Sequence, residues 1–318
     1  MQVDRSATPH LGELYASLAA MAFGSAYVAT AFALRAFDPL PAAAWRSALA
    51  TIMLGVLISL RRRRSIGGTA TVAAASPPVT LRDRVLRLGL IAVLSGPVFI
   101  VSMNLAVAHV GATIAAFVAG LYAVLSAVIA PAFLPERLSP RVLLGFVLAL
   151  GGTALLAELD PGHSDVVGIG WGLAAAVAFA LFLVLSRRWS APYGIDGPGI
   201  SFASMGVTAL SIGGFVLLTA PASLLPASLP WEPVVAIGWL AAAAVAGQLL
   251  TIASVRLIPA ARSGAFLLLN PITATILAGL LLGERPSMIQ IAGGLLVLLG
   301  MAAATLPVGP RGPVTMDR

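Results

Sequence analysis

The sequence predicts an all-α membrane protein in which ten transmembrane helices form two inverted five-helix repeats around a central cavity. Three observations lead to this fold class. Hydrophobic residues make up 59% of the 318 residues and charged residues only 10%, with a mean hydropathy of +1.00, whereas soluble domains carry about 25% charged residues. The apolar residues fall into ten long runs, and the second half of the chain repeats motifs of the first.

Each apolar run is bounded by charged residues or by proline and glycine. A helix needs about 20 apolar residues to cross a bilayer. The ten predicted spans are 12–34, 41–60, 87–108, 111–134, 141–157, 167–186, 198–219, 233–255, 262–283 and 288–306. The longest gap, 61–86, begins with four arginines and continues through small residues and prolines, so we expect a flexible linker there.

The arginines set the predicted orientation. When the spans are threaded in order, all arginines except Arg35, Arg46 and Arg285 fall on one side of the membrane. Cytoplasmic loops carry the excess of basic residues, so we expect both termini in the cytoplasm and the chain in a bacterial inner membrane. Arginines beside apolar segments would meet anionic lipid headgroups rather than nucleic acid.

The two halves of the chain align at a shift of 148 residues. The motif LPERLS at 134–139 matches LGERPS at 282–287. Five helices in each copy is an odd number, so the second copy would enter the membrane from the opposite side. We therefore predict repeats at 1–157 and 158–318 with inverted topology, an arrangement that supports alternating access in secondary transporters.

Glycines follow the repeated motif in both halves. Gly145 and Gly152 correspond to Gly293 and Gly300, and the spacing of seven residues places each pair on one helix face. Small residues let helices approach closely in lipid. We expect the fifth and tenth spans to pack through these glycines as a peripheral scaffold.

The sequence offers little for catalysis or metal binding. It contains no cysteine, and its three histidines, at 10, 109 and 163, are far apart in the chain. Neither an HExxH zinc helix nor a nucleotide-binding glycine loop is present. We therefore expect a protein that is not an enzyme and that uses no cofactor and no metal.

Several stretches resemble EamA-type members of the drug/metabolite transporter superfamily. They are FGSAYV at 23–28, PAAAWR at 41–46, PERLS at 135–139 and the long stretch 260–285. The resemblance covers nearly the whole chain and implies ten helices and export of small metabolites, with amino acids favoured, including the aromatic ones. Two positions depart from the usual pattern: Phe23 stands where members often have tryptophan, and Asn270-Pro271 stands where many have Glu-Pro.

Polar and aromatic residues at mid-span depth are the candidate substrate-binding residues. They are Tyr27, Asn104, Tyr122, Trp171, Gln248 and Asn270. Buried amides are costly unless they are hydrogen-bonded, and Tyr122 corresponds to Asn270 under the shift of 148 residues. We expect the tyrosine and the amide to line one cavity.

Four further residues are candidates for gating or hinge roles. Arg46 lies inside the second span, where its guanidinium could hold a substrate carboxylate, bond helix-end carbonyls or pair with Glu284. Pro271 would free a backbone carbonyl one turn earlier, which leaves a kink or a substrate-facing hinge. His109 lies at the outer end of its span, as an interfacial or a gating residue.

These features favour a secondary transporter that exports small amphipathic metabolites, most of all neutral or aromatic amino acids. A multidrug exporter of cations and a passive channel are the alternatives, and the chain could act as a monomer or a homodimer. Proton-coupled carriers commonly keep a carboxylate in the membrane interior. Here the nearest is Glu13, at the inner edge of the first span, so we expect gradient-driven transport without proton coupling.

Overall fold

The computed structural model describes most of the chain. The described residues are 8–65, 80–135, 140–156, 166–193, 197–226, 228, 230–255, 257–258, 266 and 269–305. Within them only helices and their connections occur, and no strand forms. The proposed linker centre, 66–79, and the first copy of the repeated Glu-Arg motif, at 136–137, lie outside these residues.

The first half of the chain contributes six α-helices to the described structure. They are α1 (Thr8–Ala33), α2 (Pro39–Ser65), α3 (Leu81–Val93), α4 (Phe99–Gly120), α5 (Tyr122–Phe133) and α6 (Pro140–Leu156), with a π-helical turn, Leu94–Val98, between α3 and α4. Two of these ends lie five or more residues beyond the predicted spans: α2 continues through the arginines to Ser65, and α3 begins at Leu81. Arginine is a good helix former, so a helix does not stop where the apolar run stops.

The described part of the second half contains five α-helices. They are α7 (Val166–Tyr193), α8 (Gly197–Thr219), α9 (Trp231–Val255), α10 (Leu269–Leu277) and α11 (Met288–Thr305). A π-helical turn, Ala278–Leu282, extends α10. The first third of the predicted ninth span lies mostly outside the described residues.

Six helical segments among the described residues are long and apolar enough to cross a membrane, and three apolar helices are shorter. One of the six, Leu81–Phe133, has 53 residues, or about 80 Å at 1.5 Å per residue, which is more than twice the hydrocarbon thickness of about 30 Å. Its helical path is broken at Gly111, where φ is +76°. The chain is therefore a multi-pass membrane protein.

Helices α6 and α11 pack face to face through the predicted glycines. A Cβ atom built at Gly152 would lie 2.5 Å from the carbonyl oxygen of Gly293, and one at Gly300 would lie 2.5 Å from the carbonyl oxygen of Gly145. No larger residue fits where two backbones are this close. The prediction that each glycine pair forms a packing surface is confirmed, and the structure adds that the two surfaces pack against each other.

The remaining helices surround an interior rich in alanine. Helix α1 packs against α9 and α10, α4 packs against α7, and α2 packs against α8. Large apolar side chains point outward instead, among them Leu210 and Leu218 of α8 and Leu280 after α10. This inside-out distribution suits a protein whose outer surface contacts lipid.

Candidate functional site

A cavity of about 270 Å³ lies between the helices. Helices α1, α2, α4, α5, α7, α8, α9 and α10 and the first π-helical turn all contribute to its wall. Its described lining residues are Phe23, Ala26, Tyr27, Arg46, Ala50, Leu54, Ser95, Phe99, Ile100, Met103, Tyr122, Phe179, Phe182, Leu183, Ile200, Ser201, Ser204, Met205, Ala244, Val245, Gln248, Thr251 and Asn270. None of them belongs to α6 or α11, which confirms that these two helices are peripheral.

Arg46 is the charged residue of this cavity. It lies on the second turn of α2, and only 5% of its surface is exposed. Its Nε and Nη1 atoms have no hydrogen-bond partner among the described residues. Two of the three sequence hypotheses for Arg46 are therefore not matched by a contact at these two atoms. They are an ion pair with Glu284 and hydrogen bonds to helix-end carbonyls. The position in the cavity wall favours the third, the binding of a substrate anion.

Tyr122 and Asn270 lie together on the cavity wall, as the repeat predicted. The Tyr122 hydroxyl is within hydrogen-bonding reach of the Asn270 side chain. The Asn270 Oδ1 atom has no partner among the described residues. The pair thus leaves a free acceptor beside a phenol, and Tyr27 on α1 adds a second buried phenol to the same cavity.

Three phenylalanines extend this wall into an aromatic surface. Phe179 packs against Phe99, Tyr122 and Phe182, with ring centroids 4.7, 4.8 and 5.0 Å apart. Tilted and edge-to-face contacts of this kind stabilise aromatic clusters beyond simple burial. The cluster gives the cavity a continuous aromatic face that includes the Tyr122 phenol.

Sequence reasoning missed this cluster, because phenylalanine in a transmembrane run also suits a lipid-facing position. The available signal was the spacing of Phe179 and Phe182, three residues apart and so on one helix face. A second omission is the hydrogen bond between Ser95 and Ser204, which joins the π-helical turn to α8. The signal there was Pro97, which cannot complete a regular helix.

Gln248, on α9, is also a polar residue of the cavity wall. Two other predicted substrate-binding residues are elsewhere. Asn104 is fully buried and donates from Nδ2 to the carbonyl oxygen of Pro39 at 3.0 Å, which ties α4 to the start of α2. Trp171 is 37% exposed near the N-terminal end of α7, where an amphipathic ring suits a membrane interface.

The predicted gating residues other than Arg46 do not line the cavity. His109 is exposed next to Gly168 of α7. Pro271 is the third residue of the described helix α10. Residue 267, whose carbonyl the proline would free, lies outside the described residues, so the kink or hinge stays a prediction.

Glu284 has a defined structural partner. Its two carboxylate oxygens accept hydrogen bonds from the backbone N–H groups of Ala112 at 2.8 Å and Thr113 at 3.0 Å. These groups open the helical stretch that follows the break at Gly111, so the carboxylate caps a helix N-terminus. The contact joins the loop after α10 to the middle of α4.

Within the described residues, no group of three His, Cys, Asp or Glu side chains is placed to hold a metal ion. The polar groups of the cavity can instead bind a small organic molecule, through one cation, two phenols and two amides. A buried cavity between the helices of a multi-pass protein is the arrangement that a membrane transporter requires. The EamA-like transporter family matches the chain twice, at residues 10–157 and 166–306. The chain belongs to that family.

Two further similarities agree with this assignment. The chain is 24% identical over 282 residues to an uncharacterized transporter of Archaeoglobus fulgidus, an alignment that covers 88% of this chain and 93% of the relative. A protein crystal structure with 19% sequence identity superposes with a TM-score of 0.59 and covers 95% of this chain and 97% of its own. The second likeness concerns the fold.

Proposed function

We propose that this membrane transporter exports small amphipathic metabolites by alternating access, with neutral and aromatic amino acids as the first class to test. The observation that carries the proposal is the cavity, which combines an aromatic face with a few unpaired polar atoms. Binding sites for small molecules generally have this composition. A transporter needs such a site within the membrane.

The proposal includes ten transmembrane helices in two inverted repeats, with the division near residue 157. The double family match at 10–157 and 166–306 supports it. So does the packing of Gly24 and Gly172, which correspond under the shift of 148 residues. Gly24 of α1 lies against Asn270 of α10, and Gly172 of α7 lies against Val118 of α4, so each half's first helix contacts the other half through the equivalent glycine.

We also propose that transport follows the substrate gradient and is not coupled to protons. No acidic side chain is among the described residues that line the cavity. Glu13 lies on α1, outside the cavity, and its carboxylate is 3.6 Å from His10. The buried cation at Arg46 opposes entry of cationic drugs, because like charges repel strongly where water is excluded.

The orientation and the membrane environment that we propose for the protein are those predicted from the distribution of its arginines. We place both termini in the cytoplasm and the protein in a bacterial inner membrane, as a monomer or a homodimer in contact with anionic lipids. Arg87 fits an inner interfacial position, since its guanidinium lies 4.4 Å from the ring centroid of Tyr193 and 5.0 Å from that of Trp189.

Counterflow in proteoliposomes tests the function. Vesicles loaded with unlabelled L-phenylalanine should accumulate labelled phenylalanine with saturable kinetics, and an imposed pH gradient should change the rate little. Unsaturated flux would indicate a channel. If the pH gradient stimulates transport several-fold and this stimulation is lost in Glu13→Gln, the gradient-driven mechanism is contradicted and Glu13 is the coupling residue.

A further inference from the structure

We infer that the cavity selects organic monocarboxylates with an apolar or aromatic body, that Arg46 binds their carboxylate, and that a substrate ammonium group is not required. This inference rests on the proposed transport function and narrows its substrate class. It concerns the net charge that the cavity accepts, which neither the family nor the relatives specify.

The first step is the state of the Arg46 guanidinium. Its side chain is buried, and its Nε and Nη1 atoms have no hydrogen-bond partner among the described residues. A guanidinium that is buried with two of its nitrogen atoms unpaired is unfavourable, because those N–H groups have lost hydration without gaining a protein acceptor. The edges of a guanidinium match the two oxygens of a carboxylate in spacing and direction. A bound carboxylate therefore supplies what this group lacks.

The second step is the charge balance of the cavity. Arg46 alone carries a formal charge among its described lining residues. A monocarboxylate brings the net charge of the occupied cavity to zero, a zwitterionic amino acid leaves one positive charge, and an amine adds another. Uncompensated charge is costly where the dielectric constant is low. Affinity should therefore be at least as high for the carboxylate as for the amino acid, and lowest for the amine.

The third step is the remainder of the substrate. The Phe99, Phe179 and Phe182 rings offer an apolar face, and a volume of about 270 Å³ admits one ring with a short chain. The Asn270 side chain lines the same wall, and an amide can accept a hydrogen bond from a neutral hydroxyl or amide as well as from an ammonium. Nothing in this wall specifically demands a second charge on the substrate.

The experiment uses the full-length protein in proteoliposomes and follows L-phenylalanine counterflow in the presence of two competitors. Phenylpropanoate lacks the ammonium group, and phenylethylamine lacks the carboxylate. The phenylpropanoate concentration for half-inhibition should be no higher than that of unlabelled phenylalanine. The phenylethylamine concentration for half-inhibition should be at least about tenfold higher, given the strength of hydrogen bonds to charged groups.

Two arginine variants locate the effect. Arg46→Met should raise the phenylpropanoate concentration for half-inhibition by at least about tenfold. Arg35→Met is the matched control, because Arg35 is exposed and its guanidinium lies over the Phe32 ring, 4.3 Å from the centroid, away from the cavity lining. The phenylpropanoate concentration for half-inhibition of this control variant should equal that of the parent. Equal inhibition by phenylethylamine and phenylpropanoate, or an unchanged value in Arg46→Met, would overturn the inference.

Thermal unfolding in detergent separates binding from folding and from transport. Arg46→Met should unfold at or above the Tm of the parent, because it removes an unpaired buried charge. Phenylpropanoate should raise the Tm of the parent and of Arg35→Met, but not that of Arg46→Met. If the parent shows no saturable phenylalanine flux, the proposed function fails, yet a Tm rise with phenylpropanoate still supports the carboxylate site and its absence overturns it.

Discussion

Two asparagines illustrate how position decides the role of a residue. Asn104 and Asn270 are both buried amides in apolar helices. The Oδ1 atoms of both lack a hydrogen-bond partner among the described residues. Asn104 lies outside the cavity wall and its Nδ2 donates to the carbonyl oxygen of Pro39, whereas Asn270 is part of the wall. Identical chemistry thus supports helix packing in one case and offers a ligand contact in the other.

This difference leads to a paired prediction. Asn270→Leu should weaken transport, with an increase in KM of about two- to tenfold, because a neutral hydrogen bond contributes about 0.5–1.5 kcal/mol. Its Tm should stay near that of the parent. Asn104→Leu should instead lower Tm, because it removes the bond to Pro39. Counterflow kinetics and thermal unfolding of both variants provide the check, and a lowered Tm with unchanged KM in Asn270→Leu would contradict the assignment.

At the scale of single residues, the sequence indicated part of the site. The depth of Arg46 in its span and the correspondence of Tyr122 with Asn270 could both be inferred from the sequence. The Phe179 cluster was not, because an apolar ring has the same hydropathy whether it faces lipid or a cavity. Asn104 and Trp171 were selected by polarity and depth alone, and those two criteria do not define the direction of a side chain.

At the scale of helices, the contact between α6 and α11 provides a stringent test of packing. Gly152→Ala should lower the stability by about 1–3 kcal/mol, the usual cost of overpacking, because its Cβ would lie 2.5 Å from the carbonyl oxygen of Gly293. Gly151→Ala is the neighbouring control, since the atom closest to its Cβ is Leu296 Cδ2 at 3.6 Å. Tm measurements that fail to separate the two variants would contradict this geometry.

The cap on the second part of α4 gives another prediction for an element. Glu284→Gln should lower the stability by about 1–3 kcal/mol, because one amide oxygen cannot accept both backbone N–H bonds and the charge near the helix N-terminus is lost. Glu232→Gln, at an exposed position in the first turn of α9, should change Tm little. Equal effects of the two substitutions would show that the cap is unimportant.

Helix ends were the least predictable feature at this scale. Apolar runs located the spans, but α2 extends five residues beyond its predicted end, from residue 60 to Ser65. Backbone hydrogen bonding continues as long as the side chains permit it, and arginine permits it. The break at Gly111, by contrast, coincides with the predicted start of the span 111–134.

At the scale of the whole molecule, the arginine distribution predicts which loops face the cytoplasm. Thr80→Cys and Ser228→Cys introduce single thiols into a chain without cysteine, at exposed positions before α3 and before α9. In intact cells an impermeant maleimide should label the Ser228 variant alone. Labelling of Thr80→Cys from outside would reverse the orientation.

The contact between α6 and α11 also has a consequence for how the protein is made. The two helices are separated in the chain by all of α7 to α10, so a ribosome finishes the second on the order of ten seconds after the first. During that interval the glycine face of α6 contacts lipid or the insertion machinery instead of α11. Membrane integration of this protein therefore has two stages in time, because the backbone contacts of α6 can form only after the second half has been inserted.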